Sequence, residues 1–293
     1  MNKTKLLIAL AAMLLATNAF ADGNVPSQSS PKVVTSSFYF TSGGAVIANE
    51  FLNDQEYSGT IMGGGAKFGA MYKRSENVSW DIDITYLRSS YSPHVEDFCI
   101  ANPARTSFYA VNMADADYGT YYNWNPIENL YLKAGGTFNL VAGVIQAAPN
   151  HINNIIDFDL QTQFKASAGA RYDWFFNKFG LSLQANLSIP FMGLTLSSTK
   201  YEGTINAITG GEVLPASKSP LYFTSFHNLT GFNTEIEADL IFSKATLFLA
   251  LELNNRSWNV SGMQNYRNYS MTRLGIKVDL VSLDRYKSSK RYF

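Results

Sequence analysis

Apolar and polar residues alternate with a period of two along much of the chain. The clearest stretch is residues 157–174. Phe158, Leu160, Phe164, Ala166, Ala168, Ala170, Tyr172 and Trp174 share one face, and Asp157, Asp159, Gln161, Gln163, Lys165, Ser167, Arg171 and Asp173 share the other. Successive side chains of a strand point to opposite sides, so this pattern predicts a strand with one oily and one polar face. It is far longer than the roughly 5–6 residues usual for a strand in a soluble sheet. The alternation recurs at 79–89, 129–140, 179–191, 245–253 and 272–280, and more weakly at 35–41, 62–73, 110–123 and 233–242. The reading is about ten strands, with about twelve as the alternative, given boundary errors of ~2–4 residues each.

The connections alternate in length. Short ones fall at 75–77, 125–128, 176–178 and 243–244, and long ones at 49–58, 92–106, 143–156, 196–228 and 260–268. Short turns on one side and long loops on the other predict an all-β fold: a closed antiparallel transmembrane β-barrel, short turns periplasmic and long loops extracellular. Tyr118, Tyr121, Tyr122 and Trp124 gather before one short turn, and Tyr172, Trp174, Phe175 and Phe176 before another. Trp and Tyr favour the membrane–water interface, which fits that placement.

The ends of the chain read differently. Lys3 and Lys5 precede an uncharged apolar run at 6–16, and Ala19-Phe20-Ala21 forms a small-x-small site. These features predict a secretory signal peptide over 1–21. A polar leader follows at 22–32, the barrel at 33–283 and a basic tail at 284–293. No later stretch reaches the ~20 apolar residues of a spanning helix. Within lipid only helices and closed barrels satisfy their backbone, so an exported chain of this pattern is read as an outer-membrane barrel. A soluble periplasmic β protein is the alternative. The terminal Phe293 is similar to the aromatic end read by barrel-assembly machinery, so that machinery and outer-membrane lipid are the expected partners.

Composition narrows the choice. Lys+Arg and Asp+Glu both total 23, for a net charge of zero, and 46% of residues are hydrophobic. Disorder is excluded by the apolar content, and the lack of a basic footprint argues against nucleic acid as a partner. The single cysteine, Cys99, leaves no intrachain disulfide and no Cys-cluster metal site. No cofactor and no metal is implied.

The polar face would line the lumen. Its charges are Asp81, Asp83, Asp115, Asp117, Lys133, Asp159, Lys165, Arg171, Glu235, Glu237, Asp239, Glu252, Arg256, Arg273, Lys277 and Asp279. An eight-stranded barrel is nearly filled by its own side chains, and ten strands enclose only a little more. Opposite charges in that space should pair, because an isolated buried charge is too costly. The expectation is a plugged or narrow interior. Asp81 with Asp83, and Asp115 with Asp117, invite comparison with the aspartate pairs of omptin-type proteases. They lie nearer the periplasmic turns than the outer rim, however, and no His flanks an acid on a strand face. Ser225 and His227 stand two residues apart near the top of a strand and are the candidate catalytic pair for acyl transfer. His94 and His151 fall in outer loops. Tyr201 and Tyr222, in the long 196–228 loop, are candidates for binding a small solute or an extracellular ligand. The expected function is a non-enzymatic barrel with a narrow pore or a surface-binding or structural role. The alternative is an outer-membrane hydrolase acting on lipid or peptide at the extracellular rim.

Asn49-Glu50-Phe51-Leu52 and Tyr57-Ser58-Gly59 lead into the glycine-rich Gly63-Gly64-Gly65. In this segment and in its architecture the chain resembles an uncharacterised outer-membrane β-barrel family of Bacteroidetes-type bacteria, a domain of unknown function. The resemblance implies a membrane location and a barrel fold. It brings no catalytic residues with it.

Overall fold

The computed structural model describes residues 31–49, 53–72, 77–93, 109–147, 156–176, 179–196, 221–242, 245–260 and 263–282. They form β1 (Pro31–Asn49), β2 (Asn53–Tyr72), β3 (Val78–Pro93), β4 (Tyr109–Ile127), β5 (Leu130–Ala147), β6 (Ile156–Phe175), β7 (Gly180–Leu196), β8 (Leu221–Ser225), β9 (Leu229–Ile241), β10 (Thr246–Val260) and β11 (Met263–Ser282). All the pairings are antiparallel. β1 pairs with both β2 and β11, and β6 pairs with β7, so the sheet closes on itself.

The wall has ten positions although eleven strands form it. Both β8 and β9 lie along β7: β8 from Leu196↔Leu221 to Met192↔Ser225, β9 from Ser188↔Asn233 to Gly180↔Ile241. They are two parts of one wall strand. Residues 226–232 between them stand opposite residues 189–191 of β7, which makes a large bulge. Pro190, which has no N–H for the ladder, lies at this interruption, and β7 is itself bulged against β6 there.

The alternation of the sequence becomes the two faces of the wall. Phe38, Phe40, Ile84, Leu183, Leu247, Leu249, Leu251, Leu253, Leu274 and Ile276 point outward and are exposed, Leu251 by 56% and Leu274 by 62%. A continuous oily belt of this size is foreign to a water-facing monomer and natural against lipid. The intervening residues point inward and are mostly buried.

Two of the segments expected as long loops are largely strand instead. β1 runs to Asn49 and β2 starts at Asn53, and β10 runs to Val260 with β11 starting at Met263. Segments 53–58 and 263–268 carry little apolar alternation, which is why periodicity misses them. The ladder there is held by backbone groups, and beyond the oily belt an outward residue has no need to be apolar. His94, Cys99 and His151 lie outside the described residues.

Candidate functional site

The lumen is filled in layers. Nearest the short turns, Arg171 binds Asp173 through two hydrogen bonds of 2.7 and 3.1 Å. Lys277 bonds Glu237 at 2.5 Å and Asp239 at 2.9 Å, and Lys67 lies 3.4 Å from Asp81. At mid-height Arg273 is the hub. Its Nη1 donates to Asp83 and Glu235, both at 3.1 Å, and its Nη2 lies 2.5 Å from Glu252. The same guanidinium sits over the Tyr39 ring, 4.9 Å from its centroid, and the Tyr39 hydroxyl bonds Asp83 at 2.5 Å. Lys165 pairs with Asp117 at 3.0 Å, and Asn139 links Asp115 to Arg256. These contacts join β1, β2, β3, β4, β5, β6, β9, β10 and β11 across the interior.

One glycine makes room for this hub. A Cβ on Gly65 would lie 2.5 Å from the Tyr39 ring and 2.5 Å from the Ile84 carbonyl oxygen. Gly65 therefore allows the Tyr39 ring to lie flat against the wall and reach Asp83.

Toward the long connections the inward face of β1–β5 and the adjoining end of β11 turns apolar, while β6 keeps the hydrogen-bonded column Asp159, Gln161 and Gln163. Ala45, Ile47, Ile61, Leu87, Val111, Met113, Val141, Ile145, Tyr269 and Met271 form one buried cluster. Barrel interiors are usually polar, so an oily layer inside the wall is a departure. Arg267 crosses this layer, bonding Asp159 and reaching the Met113 sulfur. Below it, the central chamber bounded by Lys133, Asn186, Asn233, Glu235 and Arg273 holds only about 70 Å3. That is room for a few waters and not for a hydrated solute.

A second cluster lies at the rim, in the bulge between β8 and β9. Ser225 Oγ and His227 Nδ1 are 2.6 Å apart. Asn228 braces the turn: its Oδ1 accepts from the Ser225 N–H at 2.8 Å, and its own N–H donates to the Ser225 carbonyl at 2.9 Å. Exposed Phe223 and Phe226 flank the pair.

Comparison with known proteins places the chain. Residues 6–287 match the family described as a protein of unknown function, DUF3316. The chain belongs to that family. No curated protein matches it. Among solved structures, the outer membrane protease OmpT from Escherichia coli is similar at 9% identity and a TM-score of 0.43, covering 87% of this chain and 99% of that one. The translocator domain of the autotransporter NalP from Neisseria meningitidis is similar at 11% identity and a TM-score of 0.38, covering 93% and 95%. The transport unit of the autotransporter AIDA-I from Escherichia coli is similar at 11% identity and a TM-score of 0.41, covering 88% and 92%. Similarity this remote transfers no activity to this DUF3316 member.

Of the charges assigned to the lumen from the sequence, those just described carry the cross-barrel contacts. Lys133 stands over the Tyr121 ring at 4.6 Å. Asp279 pairs with Thr35 through the ladder, and its side chain lies outside the described set. The Asp81/Asp83 and Asp115/Asp117 pairs are engaged by Lys67, Arg273, Asn139 and Lys165. Tyr201 lies outside the described residues, whereas Tyr222 packs against the buried Leu229, Trp258 and Val260. Among the described residues, no group of His, Cys, Asp or Glu is arranged to hold a metal ion. Sequence reasoning missed Arg267 because it fell in a supposed loop. It missed Tyr39 because an aromatic on the polar face of a weak strand carries no signal by itself.

Proposed function

We propose that this protein is an integral outer-membrane barrel, exported by a signal peptide over residues 1–21, whose lumen is sealed and whose work is done at the outer face. The observation that carries this reading is the Arg273 hub with its three carboxylates, Asp83, Glu235 and Glu252, closing the barrel at mid-height beneath an oily layer. An ion would have to shed hydration, displace these buried pairs and pass a chamber with room for only a few waters. The exposed outward belt supports the membrane location. The test is conductance. In planar bilayers the purified barrel should show no steady single-channel steps in 1 M KCl, beside a porin control that does. Reproducible steps from the wild-type protein would refute the sealed lumen.

The Ser225–His227 contact supports a second reading, a hydrolase at the extracellular rim. The bond engages Nδ1 across only two residues, a geometry that a local turn also produces. Hydrolysis of a lipid ester by the purified protein, abolished in both Ser225→Ala and His227→Ala, would establish this reading. Equal rates in wild type and variants would remove it.

A further inference from the structure

The outward face of β3 runs Trp80, Ile82, Ile84, Tyr86 and then Arg88. Arg88 is exposed on the face that carries the oily belt. Among the described side chains of the strands it is the one charge on that face, since the others point into the lumen. A cation there has a solvation cost at the midplane and little cost at the edge.

The course of β3 puts Arg88 at the edge: it stands eight residues beyond Trp80 near the start of the strand, and at ~3.3 Å per residue and a tilt of ~40° the strand climbs about 20 Å over that span of a ~25 Å belt. Arg88 pairs with Met62 on one side and Asn112 on the other, and Met62 pairs with Ser42, which pairs with Thr272. Ser42 and Thr272 are exposed polar residues directly above the belt residues Phe40 and Leu274. Because the strands of a closed barrel are tilted, this row crosses the membrane obliquely and reaches the belt residue Leu251 on β10, so the depth of Arg88 is set by its climb along β3, toward the long connections.

Beside Arg88 the wall is grooved. A cavity of about 540 Å3 opens on the outer surface, lined by Tyr86, Asn112, Ala114, Ala142, Leu160 and Leu196. Its walls are mostly oily; Asp159, held by Arg267, also lines it, and at the end where Arg88 pairs with Asn112 across the ladder the Tyr86 hydroxyl donates to Asn112 Oδ1 at 3.0 Å. That bond leaves both Asn112 amide hydrogens available to an acceptor. A mostly apolar trough that ends in an amide, with an exposed guanidinium at the neighbouring ladder position, is complementary to an amphiphile with an anionic head.

We propose that this groove binds a phosphoglycolipid of the outer leaflet, one acyl chain along Ala114 and Ala142 and a phosphate on Arg88 and Asn112. The guanidinium fork matches phosphate oxygens in a bidentate pair, and among the described strand side chains Arg88 is the one charge on this face. The proposal rests on the outer-membrane reading above.

The test uses the full-length protein, extracted in detergent and incubated with purified lipid A, with bound lipid counted by native mass spectrometry. Arg88→Gln removes the charge, and Ala142→Leu fills the trough without touching it. Each should lower lipid A binding about tenfold, the effect of losing roughly 1.4 kcal/mol, and dephosphorylated lipid A should bind the wild type as weakly. Unchanged binding in either variant, equal binding of dephosphorylated lipid A, or a stable dimer formed through this face without lipid would overturn it. Outer-membrane fractionation and heat-modifiable gel mobility are followed in parallel. If the wild type lacks both, the membrane reading fails and this one with it. If it shows both and binds lipid A no better than the variants, the groove alone is refuted.

Discussion

Arg273 carries more of the interior than any other side chain described. One guanidinium faces Asp83, Glu235 and Glu252 while lying over the Tyr39 ring. Removing one partner from a buried ionic cluster leaves the others uncompensated, at about 3–5 kcal/mol. Arg273→Met should therefore lower the temperature at which the folded gel band converts to the unfolded one by far more than loss of a surface charge. An unchanged conversion temperature would show that the hub contributes little. Gly65 is the companion case. A methyl there meets both the Tyr39 ring and the Ile84 carbonyl, and overpacking of this kind costs about 1–3 kcal/mol. Gly65→Ala should destabilise the same transition, and Gly44→Ala, where a Cβ meets nothing within 4 Å, should not. At this scale the charges were legible in the sequence but their partners were not. Period two tells which face a residue occupies, whereas the partner of Arg273 depends on strands far away in the chain.

At the scale of the element, the outward and inward faces have different tolerances. Leu251 lies in the run Leu247, Leu249, Leu251 and Leu253 of β10, all exposed toward the belt. A cation at the bilayer midplane costs about 2–4 kcal/mol, falling to about 0–1 near the interface. Leu251→Arg should therefore destabilise the folded barrel in bilayers by about 2–4 kcal/mol, while Thr230→Arg, above the belt on β9, should cost about 1 or less. Denaturant titration in liposomes reads both, and equal effects would place Leu251 away from lipid. The strands whose faces differ in polarity were legible from the chain. The β8–β9 break was not, because residues 226–232 form a bulge only by standing opposite 189–191 of β7. Ser225 and His227 were visible as neighbours in sequence, and the turn braced by Asn228 is what brings their polar atoms to 2.6 Å.

The whole molecule behaves as a closed ring packed from within. Most of the described ion pairs are screened from solvent: the partners in Arg171–Asp173 are 6% and 0% exposed, and in Lys277–Asp239 11% and 4%, with Lys67 and Asp117 the more open ends of theirs. Mobile ions act strongly on exposed pairs and weakly on buried ones. The conversion temperature should accordingly move little between 0.1 M and 1 M NaCl, and a steep fall with salt would show that water and ions enter the lumen. Sealing belongs to this scale as well. Among the described residues no single side chain plugs the barrel, and the proposed seal is shared by the Arg273 layer and the oily cluster around Leu87 and Met271.

The chain by itself determined the barrel class, the sidedness of its strands and the inward course of most of its charges. Strand geometry converts alternation into two faces without reference to anything distant. Only the folded ring decided which charges meet, where the lumen closes, that segments 53–58 and 263–268 are strand, and that Arg88 stands beside an oily groove. Those facts depend on register between strands, and register is a property of the closed sheet rather than of any one segment.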